Sequence, residues 1–146
     1  MKNSFASIVA GVLWCAVSSS VYAQQQLPSP EAARDLAERV MQRVAKDDIE
    51  GGLATLKPYW LMGPGEFDAV AEKVKLQLPL LRQRFGKAIG YEFIRDEKVG
   101  TSLRQFTYLQ RFEKHAVRWI FVFYRGEKDW LLNSFWFDDN TRALFQ

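Results

Sequence analysis

The chain has 146 residues, with 20 Lys and Arg against 17 Asp and Glu and a formal net charge of +3. This length allows one domain, and so mild a charge excess argues against a nucleic-acid binder, which usually carries a concentrated basic stripe. A single Cys and a single His exclude a disulfide framework and a Cys/His zinc site. We therefore assign neither a metal nor a cofactor, and the composition selects no specific activity.

Residues 1–23 have the order of a secretory signal peptide. Lys2 supplies a positive charge, residues 5–17 form a short apolar run, and Val21-Tyr22-Ala23 suits cleavage after Ala23. The apolar run is shorter than the ~20 residues that a membrane span needs. The sequence therefore predicts a periplasmic or secreted protein.

Two alternatives remain open for this segment. It could stay attached as an uncleaved anchor, or Cys15 could be the lipidated residue of a lipoprotein. In the predicted case the mature protein is one domain, residues 24–146.

Three helices are predicted in the first half of that domain. Ser29 is a suitable N-cap with Pro30 at the first helical position. Asp47 is expected to cap a shorter second helix that stops at Pro58. A third helix is predicted from about residue 66 to residue 84, ended by Gly86. The first and third helices each carry one apolar stripe, formed by Ala33, Leu36, Ala37, Val40, Met41 and Val44 and by Phe67, Val70, Ala71, Val74, Leu78 and Leu81.

Most of the aromatic residues, which make up 14% of the chain, lie after residue 88, where apolar residues alternate with period two. This pattern predicts strands at 89–98, 101–113, 116–125 and 129–138. Short connections make the sheet an antiparallel meander. Helices followed by strands give an α+β fold, with three N-terminal helices packed on one face of a curved four-stranded antiparallel sheet.

The turns predict how the strands pair. A turn at Lys114-His115 would place Tyr108 opposite Phe121, a turn around residue 126 would place Phe121 opposite Asn133, and a turn around residue 100 would place Tyr91 opposite Tyr108. The inner, helix-facing side of the sheet would then collect Ile89, Tyr91, Phe93, Phe106, Tyr108, Phe112, Trp119, Phe121, Phe123, Leu131, Phe135 and Phe137.

The outer face of the predicted sheet is unusually apolar for a face open to water. A contiguous patch of this kind often marks an interface, so we expect a homodimer through Leu109, Ile120, Val122, Leu132 and Trp136. Alternatively, the C-terminal segment around Leu144 and Phe145 covers part of this face. Arg111 and Arg118 are predicted to lie opposite each other there, which would require Glu92, a carboxylate of a partner chain, or an anion between them.

Three helices followed by a curved, aromatic-rich meander resemble the nuclear transport factor 2-like superfamily, also called the cone-shaped α+β fold. The closing strands at 119–124 and 130–137 carry the resemblance. Residues 84–86, Tyr124, Trp130 and residues 137–140 are more narrowly similar to small secreted bacterial members of unassigned role. The resemblance implies a pocket between the sheet and the helices and dimerisation through the sheet. Some members are isomerases, dehydratases or cyclases and many only bind or scaffold, so the fold does not select an activity.

The predicted inner face contains no Asp, Glu or His. Tyr91, Tyr108, Phe121 and Asn133 form a row that could bind a small ligand with an apolar body and a polar tip, with Trp60 closing the mouth of the pocket. Alternatively, the row is a polar part of the core satisfied by backbone or water, and Trp60 is a hydrophobic plug.

No catalytic residue is predicted from these observations. The sequence favours a binding or assembly module with an aromatic-lined pocket. One alternative is an isomerase- or hydrolase-type enzyme of the same superfamily whose base is a helix-borne carboxylate, Asp68 or Glu72. Another is an accessory subunit of a cell-envelope complex.

Overall fold

A computed structural model describes residues 24–146. The predicted signal segment, residues 1–23, lies outside the described residues. The elements, in chain order, are α1 (Pro30–Val44), α2 (Ile49–Leu56), a 3-10 turn (Lys57–Tyr59), α3 (Pro64–Phe85), β1 (Ala88–Val99), β2 (Leu103–Phe112), β3 (Ala116–Arg125), β4 (Trp130–Asp138) and a C-terminal 3-10 turn (Thr141–Leu144).

Helix α1 begins as its sequence predicts. The Ser29 hydroxyl accepts the backbone N–H of Ala32 at 3.1 Å, and Pro30 occupies the first turn, where its missing N–H costs no hydrogen bond. All six residues of the predicted stripe are fully buried. Burial of one continuous apolar face fixes the helix on the sheet.

Helix α2 is capped by Asp48 and not by Asp47, which corrects the prediction. Asp48 Oδ1 accepts the Gly51 N–H at 2.9 Å. Asp47 instead adopts a φ of +63° in the link after α1, a conformation that Asp tolerates better than most residues. The cap therefore falls one residue later than the sequence suggests.

Helix α3 starts two residues earlier than predicted and ends before Gly86, as predicted. Gly86 has a φ of +87°, and a Cβ there would lie 2.4 Å from Glu113 Oε2. Glycine is therefore required for both its conformation and the close approach of the β2–β3 turn. The buried residues of the helix are Phe67, Ala71, Val74, Leu78 and Phe85, while Val70 and Leu81 are half-buried.

The four strands form the predicted antiparallel meander in the order β1-β2-β3-β4. The predicted register is displaced by two residues between β2 and β3, because Glu113 and Lys114 form the turn and Phe112 N–H donates to His115 O at 2.9 Å. Tyr108 is thus opposite Trp119. The register between β1 and β2 is also displaced by two residues, so that Tyr91 is opposite Gln110. A displacement of two residues keeps each side chain on its face, so the assignment of faces holds for β2 and β3.

In β4, an irregularity in the pairing between Val122 and Phe123 overturns the predicted pairing of Phe121 with Asn133. Phe121 pairs with Phe135, Phe123 pairs with Leu132, and Asn133 has no partner in the ladder. An unpaired extra residue turns the strand by one position. As a result Leu132 is fully buried in the core and Asn133 is exposed.

A similar irregularity at the start of β1 lies between Ala88 and Gly90. Ile89, which was predicted to face the helices, is 54% exposed for this reason.

The free edge of β4 is partly covered by segments from the first half of the chain. Leu27 pairs with Trp130 in an antiparallel bridge, and Trp60 pairs with Leu132 in a parallel bridge. Gln25 N–H also donates to Pro58 O at 2.8 Å. These contacts reduce the length of unpaired strand edge that could attach to another chain.

The whole arrangement is α+β and fits a cone-like fold, with the helices N-terminal to the curved sheet and packed on its inner face. The core lies between α1, α2, α3 and the inner side chains of all four strands. Among residues 24–146, no helix is long and apolar enough to cross a membrane.

Candidate functional site

The structure brings Tyr91, Tyr108 and Phe121 together on the inner face of the sheet. The rings of Tyr91 and Tyr108 are 6.3 Å apart, and those of Tyr108 and Phe121 are 5.9 Å apart. Tyr108 and Phe121 expose none of their surface. Because even an internal cavity of water size would leave some surface accessible, the space beside these two rings is filled.

The other two predicted ligand-binding residues lie elsewhere. Asn133 is exposed at the irregularity in β4, so the sequence prediction placed it on the wrong face. Trp60 is buried and packs edge-on against Phe67 and Phe135 at 5.6 and 5.7 Å between centroids. Its indole N–H has no hydrogen-bond partner among residues 24–146. The role of all five residues in ligand binding stays a prediction.

A carboxylate from a helix reaches the tyrosine row, although the inner face of the predicted sheet contains none. The Tyr91 hydroxyl donates a short hydrogen bond to Glu38 Oε1, and Glu38, on α1, is half-buried. The Tyr108 hydroxyl lies 3.5 Å from Arg34 O. The Arg34 guanidinium sits 3.9 Å above the Phe93 ring, close enough for a cation–π contact. We call these five residues the Glu38 cluster.

Both phenols of the Glu38 cluster stay protonated. Burial raises the pKa of Tyr91, and the hydrogen bond to Glu38 raises it further. Burial also raises the pKa of Tyr108, with a second contribution from the negative charge of Glu38. The tyrosines can therefore donate hydrogen bonds, and Glu38 accepts one from Tyr91.

Helical spacing gives a partial signal for Glu38, because it locates the residue on α1 but does not show its contact with Tyr91. Glu38 follows Ala37 and precedes Met41 by three positions, so it borders the buried stripe of α1. The carboxylates that the sequence analysis proposed as alternative bases are both exposed. Asp68 Oδ1 lies 2.7 Å from Lys57 Nζ, and Glu72 Oε1 lies 3.1 Å from Lys75 Nζ.

An open cleft of about 420 Å³ lies between α3 and the end of β4. Leu80, Leu81 and Phe137 supply its apolar lining, and we call it the α3–β4 cleft. Arg84 Nη1 and Asp139 Oδ2 at its rim are 3.9 Å apart, which is longer than a hydrogen bond. The cleft thus combines apolar side chains with the charges of Arg84 and Asp139.

The outer face of the sheet differs from its prediction at two of five residues. Leu132 is in the inner core, and Ile120 is only 3% exposed. The C-terminal 3-10 turn contacts β3, and Arg95 Nη2 donates to Ala143 O at 3.2 Å. The C-terminal segment therefore covers part of this face, as the alternative interpretation of the sequence held.

An apolar region remains uncovered on the outer face, which we call the outer patch. Its exposed members include Val99, Tyr124 and Trp136, at 70%, 45% and 41% exposure. We define the outer patch by the strand register as Val99, Leu103, Val122, Tyr124 and Trp136, and the half-buried Leu109 and Leu131 lie on the same face.

The outer face carries its own counter-charges. The predicted opposition of Arg111 and Arg118 is wrong, because Arg118 lies opposite Leu109. Arg111 Nε is 3.3 Å from Glu92 Oε1. Arg118 makes two hydrogen bonds to Asp138, at 3.0 and 2.6 Å. Each arginine is thus neutralised within its own chain.

Among the described residues, no group of three or more His, Cys, Asp and Glu side chains is arranged to hold a metal ion. Comparison of the chain with protein-family models, with curated proteins and with solved structures gave no match.

Proposed function

We propose that the protein is an exported, nuclear transport factor 2-like assembly module that forms a homodimer through the outer patch. The observation that carries the proposal is the contrast between the two faces of one sheet. Five inner-face rings, those of Phe106, Tyr108, Trp119, Phe121 and Phe123, expose no surface, whereas the outer patch leaves several large apolar side chains in water. An exposed apolar patch of this kind is typical of a protein–protein interface.

Charge favours a second copy of this chain as the occupant. The outer-face cations Arg111 and Arg118 are paired with carboxylates of their own chain. Two such faces can approach each other without unpaired like charges, which would otherwise oppose self-association. A partner of strong net charge would gain nothing from a face that is already neutralised.

Replacement of Val122 by Glu tests this interface. A charge buried in a dimer without a partner is costly, so we expect a soluble monomer whose dimerisation constant is weakened at least about tenfold. Light scattering and native mass spectrometry measure the oligomeric state. Leu76→Glu is the matched control, because Leu76 is 70% exposed on α3 and lies outside both the outer patch and the α3–β4 cleft.

Two outcomes would contradict the proposal. The unaltered protein could be monomeric at high concentration, or Leu76→Glu could dissociate the dimer as effectively as Val122→Glu. Thermal unfolding of both variants shows whether either change acts by unfolding the chain.

We also propose that the protein binds a small ligand with an apolar body and a polar tip, in the α3–β4 cleft and not at the inner row. Tyr108 and Phe121 in the inner row are fully buried, whereas the α3–β4 cleft offers Leu80, Leu81 and Phe137 beside Arg84. Native mass spectrometry of protein purified from its own compartment would detect such a ligand. Leu81→Trp should then abolish the bound mass by filling the cleft, and an unchanged bound mass would place the ligand elsewhere.

The export proposal has its own test. Gln24 Nε2 donates to Tyr59 O at 2.9 Å, so the first residue after the proposed cleavage site is already bonded into the fold. The exported protein should begin at Gln24, and a mass that includes residues 1–23 would contradict cleavage.

A second candidate function is proton transfer at the Glu38 cluster, favoured by the carboxylate that contacts Tyr91. Glu38 would remove a proton, and a neutral tyrosine would donate to the oxygen on which charge develops. Deuterium exchange next to the carbonyl of a small cyclic ketone, followed by NMR in D₂O, tests this. Glu38→Gln should abolish the exchange catalysed by the protein, and equal rates in both proteins would refute the function.

A further inference from the structure

Helices α1 and α2 line a surface groove of about 660 Å³ that neither proposed function uses. Arg39, Gln42 and Arg43 lie at positions i, i+3 and i+4 of α1 and so share one side of the helix, and Lys46 follows in the link after its last residue, Val44. Asp48 and Thr55 complete the lining, and we call this the α1–α2 groove.

The cations of the groove outnumber its carboxylates by three to one. Asp48 Oδ2 accepts from Arg43 Nη1 at 2.8 Å, and Asp48 Oδ1 accepts the Gly51 N–H at 2.9 Å. Within residues 24–146, Arg39 and Lys46 make no ion pair. The lining therefore carries a net charge of about +2 that the pair of Arg43 and Asp48 does not remove.

The carboxylates nearest in sequence to the groove form no ion pair with its cations. Asp47 Oδ2 is 3.2 Å from Arg82 Nη1, and Glu50 Oε1 is 3.6 Å from Lys75 Nζ. Glu38 accepts the Tyr91 hydroxyl. Asp35, one turn before Arg39 on α1, makes no ion pair among the described residues. Within residues 24–146, Asp48 is therefore the only carboxylate that forms an ion pair with a cation of the groove.

One wall of the groove depends on a glycine. A Cβ at Gly51 would lie 2.2 Å from Asp48 Oδ2 and 2.7 Å from Arg43 Nη1. Gly51 therefore allows Asp48 to hold the Arg43 guanidinium against the start of α2. The Thr55 hydroxyl donates to Gly51 O at 2.7 Å, so its proton is already used and Thr55 serves as a wall.

We propose that the α1–α2 groove binds a doubly charged phosphate group, such as that of a phosphomonoester. The net charge of the lining matches a dianion. Arginine guanidinium groups fit phosphate oxygens with paired N–H donors, and the Gln42 amide adds uncharged donors. The site is separate from the outer patch, so it does not depend on the proposed dimer.

Titration of the purified protein at pH 8, followed by NMR of the backbone amides, tests the proposal. Inorganic phosphate and phenyl phosphate are the soluble probes. Vesicles of phosphatidylcholine with phosphatidic acid present the same group on a lipid surface, and cosedimentation measures their binding. The test variant is Arg39→Gln with Lys46→Gln. The matched control is Arg125→Gln with Lys128→Gln, which removes the same charge from exposed positions around the β3–β4 turn.

We expect saturable shifts centred on residues 39–46 and binding weakened at least about tenfold in the test variant, with the control unchanged. Site-dependent binding of the vesicles would assign the phosphate to a lipid, and site-dependent binding of the soluble probes alone would assign it to a soluble ligand. Equal weakening in both variants, shifts that do not saturate, or no binding of any probe would overturn the proposal.

Discussion

The inner and outer faces of the sheet are built from the same four strands but differ in composition and in packing. The inner face is dry and aromatic, and its stacked rings include Trp119 and Phe137 at 5.0 Å. The outer face is crossed by ion pairs and retains exposed apolar side chains. The difference teaches that the inner face supplies the stability of the fold, which leaves the outer face and the helix surfaces free to carry function.

The largest expected effect compares one aromatic residue from each face. Phe121→Ala should destabilise the protein by about 3–5 kcal/mol, because it leaves a cavity beside fully packed rings. Trp136→Ala on the outer patch should change stability by less than about 1 kcal/mol in the monomer. Urea unfolding followed by circular dichroism measures both. Similar losses for the two variants would break the distinction between the faces.

Two glutamines on β2 compare the two faces through their hydrogen bonds, with a smaller expected loss of stability. The buried Gln110 accepts from Trp119 Nε1 at 2.9 Å and donates to Val44 O at 3.2 Å. Gln110→Ala leaves both groups unpaired and should cost about 1–3 kcal/mol. Gln105, which bonds Glu97 on the outer face at 2.7 Å, should lose little when replaced by Ala. A larger loss at Gln105 than at Gln110 in chemical unfolding would contradict this account.

Two ion pairs on the outer face differ in burial, so we expect them to differ in strength. The side chains of Arg118 and Asp138 are 14% and 31% exposed and make two hydrogen bonds, whereas those of Arg111 and Glu92 are 47% and 53% exposed. A double-mutant cycle should give a coupling energy of about 1 kcal/mol for the first pair and close to zero for the second. Added salt should reduce the first value, and equal couplings would show that burial does not control their strength.

The smallest effect appears only at alkaline pH. The pKa of Tyr91 is raised by burial and by its bond to Glu38. A raised pKa in the folded state means that the contribution to stability is present below the ordinary tyrosine pKa of about 10 and is lost as the pH rises through the folded value. Tyr91→Phe should remove this part of the alkaline decline. Absorbance titration and unfolding at a series of pH values measure it, and a Tyr91 that ionises at or below its ordinary pKa would refute it.

Local signals in the sequence predicted much of the fold. The Ser29 cap and the stripe of α1 determine that helix without knowledge of its surroundings, and Gly86 ends α3 because few other residues adopt its φ. The alternation of the strands assigned the faces of β2 and β3 even though the predicted register was displaced by two residues. A period of two cannot distinguish such displacements.

The rest depends on tertiary contacts that no local pattern encodes. The irregularity at Asn133 turns Trp130 and Leu132 toward Leu27 and Trp60, which come from distant parts of the chain. Sequence reasoning therefore kept Asn133 in the candidate site and missed Glu38, whose position at the border of a stripe becomes meaningful only when Tyr91 lies opposite it. The α1–α2 groove was missed because its cations are spread over the end of α1 and the link that follows it.

The bridges from Leu27 and Trp60 to β4 also bear on how the chain folds. They join the last strand to segments made much earlier, and contacts between distant residues slow folding because a long loop must close before they form. A protein exported as proposed would cross the membrane with its N-terminus first and could not complete the sheet edge until β4 had followed. Export in an unfolded state is thus compatible with this topology, because the order of the strands itself delays the final closure.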